Sequence, residues 1–181
     1  MGNRRLAVFV LSIVFLFVIA LGIWLAWNSH QSSIASPATV IQTSAHCHSA
    51  NGLPDPVCTP GLVDPRVMQD NISTTICMRG YTTTVRPASS YTNDLKVRQI
   101  AEYGYADTSL ADYEEDHLIP LELGGHPSDA KNLWPQPRSG IYPAAKKDLV
   151  ENSLHTKVCA GVMTLAAAQA AIATNWPSLS P

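Results

Sequence analysis

The chain has 181 residues, four cysteines and a formal net charge of −2. That length suits one domain with an accessory segment. Arg4 and Arg5 precede every other charge, and setting them aside leaves 10 basic against 14 acidic side chains, a formal −4. This excludes a domain that grips nucleic acid through bulk positive charge, so any such contact must be local or bridged by a metal.

Residues 6–27 carry no charged side chain. As a helix, such a run spans roughly 33 Å, enough for a hydrocarbon core of about 30 Å. Arg4 and Arg5 hold the amino end in the cytoplasm and direct the rest outward. The expected organisation is a cytoplasmic stub (1–5), a transmembrane anchor (6–27), a linker (28–45) and an exported domain (46–181). The linker is rich in Ser, Ala, Thr and Gln and has no Lys, Arg, Asp or Glu, which suits a spacer at the membrane surface. A cleaved signal peptide is the alternative. Its apolar region usually runs about 7–15 residues, but small residues (Ser33, Ala35, Ser36, Ala38) do follow the run. The expected location is the cell membrane, single-pass with the C-terminal domain outside, or secreted if the segment is cleaved.

All four cysteines (Cys47, Cys58, Cys77, Cys159) fall in the exported part. An even count in an oxidising compartment favours two disulfides, with three pairings open. One of these links Cys77 to Cys159 and closes a short Cys47–Cys58 loop. A zinc site at His46, Cys47 and His48 is the competing reading, without a paired CxxC to support it. Pro54, Pro56, Pro60 and Pro65 mark an irregular, stapled stretch. Asn71-Ile72-Ser73 fits a glycosylation sequon, meaningful only in a eukaryotic secretory route. Thr82 to Val85 reads as a strand ended by Pro87. Thr92-Asn93-Asp94 offer caps for a helix of about ten residues carrying Leu95, Ile100 and Tyr103 and closed by Gly104. A second helix over 144–158 shows an apolar stripe of Val150, Leu154 and Val158, with Lys146, Lys147, Asp148 and Glu151 off it. Thr164 can cap a third, Ala-rich helix over 165–174.

Between the first two helices stands Tyr113-Glu114-Glu115-Asp116-His117-Leu118-Ile119-Pro120-Leu121-Glu122-Leu123-Gly124-Gly125, followed by Asn132-Leu133-Trp134-Pro135. Acid-His, an apolar pair, Pro, Gly-Gly and then Asn-Leu before a helix resembles the first two-thirds of the HNH (ββα-metal) nuclease motif. That likeness covers about residues 113–158. Over residues 54–176 the chain also resembles exported bacterial proteins of unassigned role. They share Cys58-Thr59-Pro60-Gly61, Thr75-Ile76-Cys77, Gly80-Tyr81-Thr82, the Asp-His segment, Asn132-Leu133-Trp134-Pro135 and Lys147-Asp148. The resemblance implies an α+β fold, a small ββα unit with additional helices and a disulfide-bearing N-terminal segment, behind one transmembrane helix.

It also implies chemistry. Phosphodiester hydrolysis needs an activated water and a stabilised leaving oxygen, and a neutral His can take the proton from water. By resemblance His117 is the general base, Asp116 a metal ligand, and Asn132 the residue that holds the loop so that His117 is aimed. The cofactor is a divalent cation, Mg2+ first, with Mn2+ or Zn2+ as alternatives. The partners are nucleic acid and, through the N-terminal helix, the membrane. No protein partner is expected.

Each residue has a plainer role: His117 as an ion-paired histidine, Asp116 as a cap or a partner of Lys131, Gly124-Gly125 as any tight turn, Asn132 as its support. The chain also departs from the family. Where the returning helix brings its ligand, Tyr142-Pro143-Ala144-Ala145 offer none. Asp148 and Asn152 share one helix face further along, as do Glu151 and His155. The alternatives to a nuclease are therefore a catalytically silent exported binding domain and an envelope structural protein.

Overall fold

The computed structural model describes residues 47–181. The anticipated anchor, the linker and His46 lie outside the described residues. No helix among the described residues is long and apolar enough to cross a membrane.

The fold is α+β with two disulfides. Helices α1 (Tyr81–Val85) and α2 (Ser89–Glu102) precede strand β1 (Tyr113–His117). Strand β2 (Leu133–Pro137), helix α3 (Ala144–Cys159) and helix α4 (Leu165–Asn175) follow. The two strands pair antiparallel, Tyr113 opposite Pro137 and His117 opposite Leu133. Helix α2 packs on both strands.

The stretch around Thr82 is a helix, not the strand its Thr and Val content predicts. Gly80 turns the chain with φ 83°, and Arg86 is already extended before Pro87. β propensity reflects fit to a pleated neighbour, and no strand pairs here. Helix α2 begins at Ser89, earlier than the Thr92-Asn93-Asp94 caps suggest, because the extended Ala88 after Pro87 already opens it.

The main core lies between α3, α4 and the loops that cover them. Val150, Leu154 and Val158 meet Leu165, Ala168 and Ile172, together with Trp176, Ile119 and Leu123. The stripe on α3 is as expected. Thr164 caps α4 by accepting from the Ala167 amide at 3.2 Å. A smaller cluster gathers Cys47, Tyr103 and Trp134, and the Tyr105 and Tyr113 rings stack at 4.9 Å.

The disulfides are Cys47–Cys58 and Cys77–Cys159. The zinc alternative at Cys47 falls, because its sulfur is bonded to Cys58 rather than available as a thiolate. In the chain-entropy picture the long 77–159 closure stabilises by about 4–5 kcal/mol and the short one by about 3 kcal/mol.

Candidate functional site

The loop between β1 and β2 is built by backbone geometry. Gly124 has φ 71°, and its amide donates to the Leu121 carbonyl. At Gly125 a Cβ would sit 1.7 Å from the Ile119 carbonyl oxygen, so only glycine fits. Residues 62–64 run alongside, with the Asp64 amide donating to the Gly124 carbonyl and the His126 amide to that of Leu62.

Asn132 is fully buried and closes this loop. Its Nδ2 donates to the Ile119 and His126 carbonyls, both at 3.0 Å, and its Oδ1 accepts from the Ile119 amide at 3.0 Å. One neutral side chain thus ties the outgoing and returning limbs together. The returning limb then brings the Pro127 carbonyl to His117.

His117 is buried. Its Nε2 lies 2.9 Å from the Pro127 oxygen. A carbonyl only accepts, so Nε2 carries the proton. Nδ1 has no protein partner among the described residues. Burial lowers the His117 pKa, against the opposing pull of the Pro127 bond and of Asp116, while the charge of Arg86 adds to the lowering. The ring is therefore neutral around pH 7 with its lone pair on Nδ1.

Asp116 meets the helix side. Its Oδ2 accepts from Lys147 Nζ at 2.8 Å. That ammonium also donates to the His117 carbonyl at 2.7 Å and to Glu151 Oε1. Lys147 has no exposed surface at all. Burial alone would lower its pKa, but the carboxylates of Asp116 and Glu151 outweigh it and raise the value. Glu151 is raised by its own burial and by the charge of Asp116, over the downward pull of Lys147. Asp116 Oδ1 has no protein partner among the described residues.

Asp148 is exposed on α3. Partial burial of its carboxyl, and then the negative charge of Asp116, raise its pKa. Arg86 acts electrostatically on His117, Glu122 and Asp148 alike. The structure thus brings Asp116, His117 and Asn132 onto one short ribbon and loop. Asn152 turns away, its amide donating to the Asp148 carbonyl.

Lys147 corrects the sequence reading, which put it off the apolar stripe. It stands three residues before Val150 and seven before Leu154, on the face those residues bury. Its spacing of four from Glu151 was a second legible signal. Arg86 carried no signal, since its place depends on how α1 folds back.

A second group has metal-ligand residue types, although its two sulfurs are joined in a disulfide. Cys77, His155 and Cys159 offer ligand atoms that all lie within 4.8 Å of one another. No CxxC spacing marks it in the sequence, because Cys77 comes from a distant segment.

No family model matches the chain, and no curated protein or solved structure matches it either.

Proposed function

We propose that the exported domain is a metal-dependent hydrolase of nucleic-acid phosphodiesters, on an HNH-like ββα scaffold. The observation that carries this reading is the tautomer of His117: a buried, neutral ring with Nε2–H committed to Pro127 and the Nδ1 lone pair left without a partner, beside Asp116. A general base needs that combination of neutrality and fixed aim.

His117 would take a proton from water at Nδ1. Asn132 holds the loop that presents the Pro127 carbonyl, and so acts as a positioning residue. The donor set fits a hard divalent cation: Asp116 Oδ1 is without a protein donor, and Asp148, its pKa raised first by partial burial and then by the charge of Asp116, stands next to Lys147 on α3. These two would hold Mg2+, with Mn2+ or Zn2+ as alternatives. When bound, such an ion polarises the phosphoryl oxygen and offsets charge on the leaving oxygen. The positive charge of Arg86, which acts on both His117 and Asp148, suits a phosphate. With a formal −4 outside the first five residues, contact with nucleic acid is local. The cellular setting in this reading is outside the cytoplasmic membrane, tethered by residues 6–27 or released after cleavage.

One observation favours the second reading, a silent binding domain. Lys147 already places a positive charge on Asp116 at 2.8 Å, as a cation would. The test uses the purified full chain in detergent, with plasmid, single-stranded DNA and RNA, each with Mg2+, Mn2+ or Zn2+ or with chelator. Metal-dependent cleavage is expected, and His117→Ala should lower it by about 10²–10⁴-fold while far-UV dichroism stays unchanged. Cleavage that is absent, or equal in the variant, gives the site to the silent reading.

A further inference from the structure

The end of α3 carries His155 and Cys159 four residues apart, hence on one helix face. Cys77 reaches them from the segment after the turn at Gln69–Thr74. Cys159 Sγ lies 3.4 Å from His155 Nε2. Two ligands at about 2.3 Å (sulfur) and 2.0–2.1 Å (nitrogen) from a tetrahedral zinc stand roughly 3.5 Å apart. The pair is therefore already at ligand spacing. What blocks a metal is the covalent bond between the two sulfurs, which leaves no thiolate.

An independent observation points to the same place. A cavity of about 210 Å³ opens here, lined by Cys77, Arg79, Tyr81, Glu122 and His155 among others. Glu122 Oε1 is buried without a hydrogen-bond partner. Burial raises the Glu122 pKa, and the nearby His155 pulls it back. A carboxylate oxygen left without a donor lies on the wall shared by His155 and Cys77, so the cavity beside the three ligands is polar and can hold a water.

We propose that the Cys77–Cys159 disulfide closes a thiolate metal site, and that its reduction opens a site for a thiophilic d10 cation of the zinc class. The ligands are Cys77, Cys159 and His155, with a water in the cavity completing the four. A dithiol reductant supplies two electrons and two protons, is itself oxidised to a disulfide, and leaves two thiols. Metal binding then releases both thiol protons as the thiolates coordinate. His155 now donates through Nε2 to the Ile76 carbonyl at 2.9 Å; as a ligand it turns a lone pair to the ion, and that carbonyl gives up its donor. Disulfide and metal are mutually exclusive, so metal occupancy reports the thiol state of the compartment. The site shares no residue with His117, Asp116 or Asn132 and stands or falls apart from the nuclease reading.

The test is cobalt substitution in the purified full chain, reduced with a phosphine so that no added thiol competes for the ion. Reduced wild type should take up one Co2+ per chain with a thiolate-to-cobalt charge-transfer band in the near ultraviolet, bleached by Zn2+. Oxidised wild type should show none. The Cys77→Ser/Cys159→Ser variant, which keeps Cys47 and Cys58, should show none after reduction. His155→Ala should keep a charge-transfer band but shift the visible bands and bind more weakly. No band in the reduced wild type overturns the proposal, as does a band that survives in the double variant. A reduced chain that loses its far-UV dichroism and does not regain it with Zn2+ also overturns it.

Discussion

Two ammonium groups are buried beside β1, and the molecule satisfies them in opposite ways. On the α2 side, Lys96 donates to the Leu110 and Tyr113 carbonyls, both at 3.1 Å. The acid beside it, Glu115, makes no hydrogen bond with either carboxyl oxygen. On the α3 side, Lys147 donates to two carboxylates and one carbonyl. Carbonyl dipoles hold the first charge, and formal negative charges hold the second. The consequence shows in the acids. Glu115 is pushed up to about 8, first by burial and then by the charge of Asp116, with Lys96 opposing. It keeps a proton at neutral pH, so the α2 side buries one charge, whereas on the α3 side Lys147 touches two carboxyls, Asp116 and a Glu151 that burial itself pushes up to about 7. The contrast teaches that burial of a lysine is not one kind of event: its cost depends on whether carbonyl dipoles or carboxyl groups in direct contact hold the ammonium.

The strongest test breaks the α3 side. Lys147→Met removes the ammonium that Asp116 and Glu151 share and strands both carboxyls and the His117 carbonyl. Removing one partner of a buried ion pair costs about 3–5 kcal/mol, to be read as a lower urea midpoint at unchanged m-value. Adding Glu151→Gln to that variant should recover part of the loss, since one of the two stranded carboxyls goes. A loss below about 1 kcal/mol, the range of solvent-screened surface pairs, would show that water reaches the site and would erase the contrast.

Lys96→Met comes next in size. It strands two carbonyls and removes the positive charge near Glu115. Because Glu115 can answer by holding its proton, the cost should stay near that of the lost hydrogen bonds, about 1–3 kcal/mol. A cost equal to that of Lys147→Met would mean that Glu115 is ionised and paired in solution.

The two sides also differ in how far they were legible in the sequence. Asp116-His117, Gly124-Gly125 and Asn132 are consecutive signals on one short ribbon, and local geometry is enough to position them: glycine where a Cβ would strike Ile119, an amide that bonds both limbs of the loop. Helices α3 and α4 followed from apolar spacing and the Thr164 cap. What sequence could not supply was the partner brought from elsewhere. The sequence puts Lys147 off the apolar stripe because charge usually means exposure, and only the packing of α3 against the β1–β2 loop turns it inward. The Thr82 stretch failed for the reverse reason: its residues favour strands, but a strand needs a neighbour, and none is there. The Cys77, His155 and Cys159 group needs a contact across 82 positions, which no local pattern encodes.

The finest test concerns the proton on Glu115, and the sign follows from the two states of the chain. Unfolded, the carboxyl titrates near its ordinary 4.5; folded, near 8. Between those values the unfolded chain has released a proton that the folded chain keeps, so folding takes up a proton and stability falls as pH rises. The slope is bounded at about 1.4 kcal/mol per pH unit. Measured in chelator by urea unfolding, wild type should lose roughly 1 kcal/mol between pH 6 and pH 7 relative to Glu115→Gln, which has no proton to take up. Below about pH 4.5 the two curves should run parallel, because Glu115 is protonated in both states there. If the curves run parallel from pH 5 to pH 8 as well, Glu115 is ionised at neutral pH and Lys96 is its true partner. The α2 side would then be an ion pair like the other, and the difference between the two lysines would lie only in the number of carboxylates each one meets.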